Sequence, residues 1–198
     1  HRHDSGEVLI GNKKARIHHP KDSIRRGVSM VTEDRLMTGI ISILSVRENM
    51  SLANLPSYCN KLKFVQTARE EREVDKMVER MNVKLSTPAQ PIGSLSGGNQ
   101  QKVVISKYID RNIRVLILDE PTRGIDVGAK DQIYEIIEGL AQQGMAVIVI
   151  SSEIPELQLM CDRICVMSQG KVTTVIDRSE FADSDNILRN ASGQPRPL

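Results

Sequence analysis

Two adjacent acidic residues, Asp119 and Glu120, follow an uninterrupted apolar run at Val115–Leu118 and precede Pro121. The run contains β-branched residues, and its pattern predicts a strand buried on both faces of a parallel sheet. Ligands of open α/β sheets bind outside the carboxyl ends of the strands. One carboxylate there could hold Mg²⁺ against phosphate oxygens, and the other could accept a proton from, or orient, an attacking water. On these residues alone, a strand that ends in a polar turn is an equally good interpretation.

A second chemical signal is the sequence Leu-Ser-Gly-Gly-Asn-Gln-Gln at Leu95–Gln101. A serine at a helix N-cap followed by two glycines leaves several backbone N–H groups pointing outward. The helix dipole adds positive potential there, and the missing side chains let a phosphate come close. An ordinary serine-capped helix is the alternative, and Ser-Gly-Gly alone favours it.

Strands and helices alternate around these two signals. Short β segments come first, a helical block follows, and strand–helix–strand–helix–strands complete the order. This order predicts an α/β fold with a mostly parallel sheet covered by helices. We divide the chain into N-terminal β pieces at 1–39, an inserted α-helical subdomain at 40–110, and a core with a tail at 111–198.

Local patterns predict where several elements begin and turn. Ser45 with Glu48, and Thr67 with Glu70, have the spacing of capping boxes at the starts of two helices. Hairpin turns are predicted at Gly11-Asn12 and at Gly170. A short helix is predicted in the tail that begins at Ser184.

The composition indicates a globular chain of one domain, with or without a subdomain, because 198 residues carry ordinary apolar and charged fractions. The net charge of +2 and the lack of Trp argue against a nucleic-acid partner. No apolar run reaches about 18 residues, and the first residues lack the apolar stretch of a signal peptide. We predict buried, reduced thiols in a cytosolic protein for the three cysteines, and surface positions rather than a metal site for the four histidines: Cys59, Cys161, Cys165, His1, His3, His18 and His19.

The two chemical signals occur together at a defined spacing. About fifteen residues separate Leu-Ser-Gly-Gly-Asn-Gln-Gln from Leu-Ile-Leu-Asp-Glu-Pro-Thr, and Gly-Ile-Asp comes next. This combination resembles the nucleotide-binding domain of ABC (ATP-binding cassette) ATPases. On that resemblance, Leu95–Gln101 matches the signature motif, Val115–Glu120 the Walker B strand, and Arg123–Asp126 the D-loop.

The longer patterns Gly-Asn-Gln-Gln-Lys, Pro-Thr-Arg-Gly-Ile-Asp-Val-Gly-Ala-Lys and Ile-Ser-Ser-Glu-Ile-Pro-Glu are similar to a narrower group. They look like the C-terminal cassette of tandem ATPases in bacterial importers of galactosides, ribose or xylose. The resemblance covers nearly the whole chain. It implies the P-loop NTPase-like fold of ABC cassettes and an ATPase that couples ATP binding and hydrolysis to sugar import.

The resemblance implies ATP and Mg²⁺ as ligands, with Asp119 holding the metal and Glu120 as the catalytic residue. It places these further residues at the nucleotide: Ser96, Gly97, Gly98, Gln100, Asp126, Ser152 and Glu33. Glu33 falls where many cassettes carry the Q-loop glutamine, and Ser152 falls where most carry the switch histidine. Because a serine cannot carry a charge near the γ-phosphate, the residues leave hydrolysis at this cassette's own site open.

In the family, each ATP would lie between the Walker elements of one cassette and the signature helix of another. The implied partners are a second cassette, transmembrane permease subunits and, indirectly, a periplasmic or extracellular sugar-binding protein, but no nucleic acid. The implied location is the cytoplasmic face of the bacterial inner or plasma membrane, as a peripheral protein. We expect the acid pair and the glycine tip to lie tens of ångströms apart.

A Gly-x-x-x-x-Gly-Lys-Ser/Thr phosphate loop is expected with such a strand, and the sequence lacks one. The only Gly-Lys pair, Gly170-Lys171, is followed by Val172 and has Cys165 at the first glycine position. We therefore expect a fragment truncated before its Walker A loop, or an incomplete gene model, that alone binds ATP weakly and does not turn it over.

Two alternatives remain open. The first is a soluble ABC protein of DNA repair or translation, although the coiled-coil or basic insertions of those proteins are not visible. The second is a non-catalytic interaction protein that keeps the helical subdomain and the signature.

Overall fold

The computed structural model describes residues 5–109 and 113–181. The chain forms two compact units, His1–Ile148 and Val149–Leu198, and the boundary falls inside a strand. The division at 1–39, 40–110 and 111–198 stays a prediction. The helix predicted after Ser184 lies outside the described residues, as do His1 and His3. Within the described residues, no helix is both long enough and apolar enough to cross a membrane.

The first unit opens with a small antiparallel hairpin. Strand β1 (Leu9–Ile10) pairs with β2 (Lys13–Lys14). Gly11 and Asn12 connect them with φ angles of 58° and 59°, which is the left-handed backbone of a two-residue hairpin turn. The predicted turn is confirmed.

The parallel sheet has the order β3-β4-β5, with β3 at Val28–Val31, β4 at Val115–Asp119 and β5 at Ala146–Ile150. Strands β3 and β4 run parallel, with Val28 opposite Val115. The acid-terminated strand therefore lies in the middle of this sheet, which confirms the predicted fold class.

Burial of β4 differs between its two faces. Leu116 and Leu118 have no exposed surface, whereas Val115, Ile117 and Asp119 are only half-buried. The prediction of a strand buried on both faces is therefore wrong for the second face among the described residues.

Helix α1 (Pro20–Arg25) begins with a proline and leads to Gly27, whose φ of 76° suits the residue after a helix end. Helices α2 (Val46–Leu52), α3 (Thr67–Arg80) and α4 (Gly97–Ile109) form the helical block, in which α2 packs against both α3 and α4.

The capping box at the start of α2 is confirmed. The backbone N–H of Ser45 donates to Glu48 Oε2 at 2.8 Å, and the backbone N–H of Glu48 donates to Ser45 Oγ at 3.2 Å. Ser45 Oγ also donates to Glu48 Oε2 at 2.6 Å, and this bond, followed by the one from the Ser45 N–H, lowers the pKa of the Glu48 carboxyl. Two orphan donors at the helix start are satisfied in this way.

The capping box predicted at Thr67 and Glu70 is wrong. Helix α3 follows Gln66, and no side chain caps its start. The Glu70 carboxylate is buried and instead accepts a hydrogen bond from Ser51 Oγ at 2.5 Å, with Arg47 Nε 4.0 Å away. The hydrogen bond from Ser51 on α2 thus outweighs the local bond that a capping box would give to Glu70.

Helix α5 (Val127–Gln142) buries Ile133, Ile137 and Leu140 along one face and ends before Gly144, whose φ is 89°. This spacing of three and four residues is typical of a helix with one buried face.

The second unit contains helix α6 (Ile154–Met160) and a hairpin of β6 (Arg163–Ser168) with β7 (Lys171–Asp177). The hairpin turns at Gln169 and Gly170, both with positive φ, as predicted. Its core is a cluster of buried apolar side chains: Ile164, Val166, Ile176 and Phe181.

The three cysteines are free thiols. Cys59 and Cys161 are half-buried, but Cys165 is exposed on β6, so the prediction of buried thiols is wrong for Cys165. His18 and His19 are exposed, as predicted.

Candidate functional site

The end of β4 presents the two acidic side chains. Asp119 is its last residue, and both Asp119 and Glu120 are half-buried. The chain turns at once, because the Arg123 N–H donates to the Glu120 carbonyl at 3.1 Å. Glu120 has a φ of 46°, a left-handed backbone that costs about 1–2 kcal/mol for a residue with a Cβ. Such an outlier at the predicted catalytic residue favours a functional use of its side chain.

Asp126 caps the start of α5. Its Oδ1 accepts a hydrogen bond from the Ala129 N–H at 3.0 Å. The structure therefore gives this residue a local capping role, and its contact with a nucleotide stays a prediction.

The tip of α4 is accessible. Ser96 is exposed, and its Oγ accepts a hydrogen bond from Asn99 Nδ2 at 2.9 Å. Asn99 Oδ1 in turn accepts from the Lys84 N–H at 2.8 Å, which ties the tip to the loop after α3. Behind Ser96, Gly97 is half-buried and Gly98 is buried. The first N–H groups of a helix favour an anion.

Gly98 is needed for packing, and Gly97 leaves space for the end of the Arg35 side chain. A Cβ on Gly98 would lie 2.5 Å from Ala129 Cβ on α5, and one on Gly97 would lie 2.7 Å from Arg35 Nη2. Both distances are shorter than real contacts allow. The sequence predicts glycine here because a phosphate can then come close. Packing against neighbouring side chains is a second reason.

The tip lies beside the turn that follows β4. A Cβ on Gly97 would be 3.4 Å from the Gly124 carbonyl oxygen, and that turn begins at Glu120. Adding the span of one turn and one further residue places Gly97 at most about 20 Å from Glu120. The expected separation of tens of ångströms is wrong.

Gln100 is buried, with 7% of its surface exposed. Its Nε2 donates to the Leu95 carbonyl at 3.1 Å, and its Oε1 accepts from Arg35 Nε at 3.3 Å. The side chain therefore braces the residues before the tip, and direct contact with a nucleotide stays a prediction.

The loop after β3 meets the turn after β4. Glu33 forms an ion pair with Arg123, and Arg35 Nη1 donates to the Arg123 carbonyl oxygen at 3.1 Å. Asp34 caps the π-helical segment Arg35–Gly39 by accepting from the N–H groups of two of the next residues.

The structure thus brings Glu33, Gly97 and Gln100 together and adds Arg35 and Arg123, which the sequence did not single out. The sequence contains a signal for the Glu33–Arg123 ion pair but none for Arg35. Glu33 follows β3 and Arg123 lies in the turn after β4, and the carboxyl ends of parallel strands meet at the same end of a sheet.

Two lysines of α4 are buried. Lys102 Nζ donates to the Asn82 carbonyl at 2.6 Å and to Gln132 Oε1 at 2.7 Å, and burial lowers its pKa. Lys107 Nζ donates to the Gly39 carbonyl, and burial lowers the pKa of Lys107 to about 8. Both bind α4 to neighbouring segments.

Ser152 belongs to the second unit and is exposed between β5 and α6. Next to it, Ser151 Oγ donates to Glu156 Oε2 at 3.2 Å and accepts from the Glu153 N–H at 3.0 Å. The loop is therefore ordered by its neighbours, and the role of Ser152 stays a prediction.

Mg²⁺ fits the residues at the end of β4. In residues 5–109 and 113–181, no group of three or more His, Cys, Asp or Glu side chains forms a metal cluster. Mg²⁺ in phosphate sites is bound through one or two carboxylates plus phosphate oxygens and water. The half-buried carboxylate of Asp119, at the carboxyl end of the middle strand, suits that donor set.

A family model described as ABC transporter matches residues 1–123, more than half of the chain. The chain belongs to the ABC transporter family. This membership agrees with the predicted signature motif at α4 and Walker B strand at β4.

Curated relatives are similar along nearly the whole chain. The ribose import ATP-binding protein RbsA of Geobacillus kaustophilus is 44% identical over 193 residues, 98% of this chain and 39% of the relative. A putative ribose/galactose/methyl galactoside import ATP-binding protein of Pseudomonas syringae pv. tomato is 47% identical over 96% of this chain and 36% of the relative. The chain thus spans well under half the length of these relatives.

Solved structures of ABC cassettes share the fold. The ADP conformation of the cassette MJ1267 has a TM-score of 0.77 at 20% identity, covering 96% of this chain and 78% of that chain. A dimeric post-hydrolysis state of the cassette MJ0796, bound to ADP and Pi, has a TM-score of 0.72 at 22% identity, covering 88% of this chain and 74% of that chain.

Proposed function

We propose that this chain is part of the ATP-binding subunit of a bacterial ABC importer for monosaccharides of the ribose–galactose class. ATP binding and hydrolysis at an interface of two cassettes would drive movement of the permease. The observation that carries the proposal is the exposed Ser96 tip of α4 beside the turn that follows an acid-terminated middle strand. The names of the relatives, which describe ribose and galactose import, support the sugar class.

At the end of β4, the two acids take different roles. Asp119 holds Mg²⁺, which when bound neutralises charge on the phosphate oxygens. Glu120 orients the attacking water and accepts its proton. The left-handed backbone at Glu120 aims this side chain differently from an extended strand residue.

At the tip of α4, Ser96 and the N–H groups of Gly97 and Gly98 bind the triphosphate held by a second cassette. Gln100 braces the tip, and Asp126 fixes the start of α5 beside it. ATP joins the two cassettes because its charges are shared across their interface.

One further residue is proposed for the γ-phosphate side of this cassette's own site: Glu33, in the loop after β3, takes the Q-loop position. Glu33 is partly exposed and paired with Arg123, so it lies at the same end of the sheet as the carboxyl end of β4. Ser152, in the second unit, is proposed as the switch residue only on its match to that position in the sequence.

The permease would dock beside the loop after β3 and hold the protein as a peripheral subunit at the cytoplasmic face of the membrane. Met37 and Ile43 are 80% and 88% exposed there, and Leu36 is 56% exposed. Exposed apolar side chains so close in sequence are typical of a protein contact surface. A separate sugar-binding protein outside the membrane would deliver the sugar.

Two variants of the intact transporter that carries this chain test the proposal in proteoliposomes. Glu120→Gln removes the proposed base of this cassette's site, and Ser96→Arg blocks the partner's ATP. We expect ATP-driven uptake of labelled ribose or galactose to fall by about 100-fold or more with Ser96→Arg. Glu120→Gln should cut the ATP hydrolysis of this site by a similar factor while ATP still binds.

Ser57→Arg is the matched control, because Ser57 is also an exposed serine of the helical block. It should leave uptake unchanged. Uptake of both sugars that survives Ser96→Arg and Glu120→Gln at the control level would refute the proposal.

A further inference from the structure

We propose that Arg35 is a positioning residue that holds the loop after β3, the tip of α4 and the turn after β4 in one fixed arrangement. The residue belongs to the loop, and its guanidinium contacts the tip of α4 and the turn after β4. The inference deepens the proposed function, since it rests on that function for what the tip does, but its structural part stands on the contacts alone.

Each contact uses a different part of the guanidinium. Nε donates to Gln100 Oε1 at 3.3 Å, and Nη1 donates to the Arg123 carbonyl oxygen at 3.1 Å. Nη2 lies so close to Gly97 that a Cβ there would be 2.7 Å away. One planar group therefore fixes the separation of α4 from the turn after β4.

The neighbours of Arg35 are themselves held. Gln100 donates to the Leu95 carbonyl, and the side chain of Arg123 pairs with Glu33. Arg35 begins the π-helical segment that Asp34 caps. Displacing this residue would therefore disturb partners on both sides of the tip.

The same π-helical segment is held to α4 at its other end. Gly39 lies against Val104, where a Cβ would be 3.2 Å from Cγ2, and its carbonyl accepts from Lys107 Nζ. With Arg35 at one end and Gly39 at the other, the segment follows α4 over about two helical turns.

A movement of the loop after β3 is therefore passed to the glycine tip through Arg35. A lysine cannot replace this residue, because an ammonium on a flexible stem lacks the fixed fork of a guanidinium. A cassette whose loop shifts with the state of its own nucleotide would thus shift the surface it offers to the nucleotide of its partner.

Hydrogen exchange on the chain itself tests the structural part. Arg35→Gln should raise the exchange rates of the amides of residues 100–103 by about tenfold, the loss expected for a hydrogen bond from a charged donor. Arg35→Lys should give an intermediate increase. The amides of β4 residues 116–118 report whether the sheet stays intact and should not change.

Arg72→Gln is the matched control, because Arg72 is exposed and donates only to Ala68 on its own helix in the described contacts. It should leave the exchange at residues 100–103 as it is. Unchanged exchange there in Arg35→Gln, with β4 intact, would overturn the proposal. Faster exchange in β4 as well would also overturn it, since Arg35 would then support the whole sheet.

The intact transporter tests the link to function. We expect Arg35→Gln to lower kcat for ATP hydrolysis by about 10- to 100-fold, as for a displaced catalytic surface, with little change in KM. Arg35→Lys should restore part of it. A change in KM with kcat unaltered would overturn the positioning role, and an inactive parent transporter would instead refute the proposed function.

Discussion

The end of β4 and the tip of α4 differ in where glycine is found: the strand end lacks it where the backbone would favour it, and the helix tip has it where the backbone does not require it. At the strand end, the residue with the left-handed backbone is a glutamate, Glu120, although glycine would adopt that φ without cost. At the helix tip, Gly97 and Gly98 have no such backbone and instead leave space for Arg35 and Ala129. A glycine motif therefore does not identify a flexible backbone, and a glutamate kept in a strained backbone indicates that its side chain is needed.

The sharpest test of this contrast is Gly98→Ala. Its Cβ would lie 2.5 Å from Ala129 Cβ, so α4 and α5 must separate. We expect the free energy of unfolding to fall by about 2–3 kcal/mol through overpacking, measured by chemical denaturation.

Gly139→Ala serves as its control, because Gly139 lies in α5 and a Cβ added there would meet nothing within 4 Å. Here helix propensity alone should raise the stability by about 0.5–1 kcal/mol. Equal effects of the two substitutions would mean that space is not what Gly98 provides.

A second test concerns the other end of α4, where Lys107 holds the segment after β3. Burial lowers its pKa to about 8, so between pH 8 and its ordinary pKa the unfolded chain binds more protons than the folded one. Stability must then rise with pH in this window. Relative to Lys107→Met, we expect the wild type to gain about 1–2 kcal/mol from pH 7.5 to 10.

Denaturation curves of both proteins at several pH values check this prediction, and the difference between them removes the contributions of other groups. A difference that stays flat across the window would show that the lysine is not desolvated in solution.

The smallest effect is expected at the strand end. Glu120→Ala and Glu120→Gly both remove the side chain, but only glycine also removes the backbone cost of φ 46° while it adds freedom to the unfolded chain. We therefore expect the free energy of unfolding of Glu120→Gly to exceed that of Glu120→Ala by about 0.5 kcal/mol, measured by chemical denaturation. A lower stability of Glu120→Gly than of Glu120→Ala would mean that the left-handed backbone is not strained.

The sequence predicts elements well where the determining contacts are local. The Ser45–Glu48 capping box, the Gly11-Asn12 turn and the middle strand with its acids all depend on neighbours in the chain. The spacing of α5 is equally local, because its buried stripe repeats with the helical period.

Predictions fail where distant side chains compete. Glu70 has the right spacing for a capping box with Thr67, yet Ser51 and Arg47 attract it into the helical block. The π-helical segment, which Asp34 caps, has no periodicity to detect. Arg35 gives no local signal, since its partners lie 65 and 88 positions away.

The contact between Gly98 and Ala129 limits how these two helices can change over generations. The two positions already hold the smallest side chain and the next smallest, so neither can grow unless the other shrinks. Only Ala129→Gly leaves room for such an exchange, and it would cost α5 helical propensity. The pair is thus confined to a very short list of viable combinations, whatever happens elsewhere in the chain.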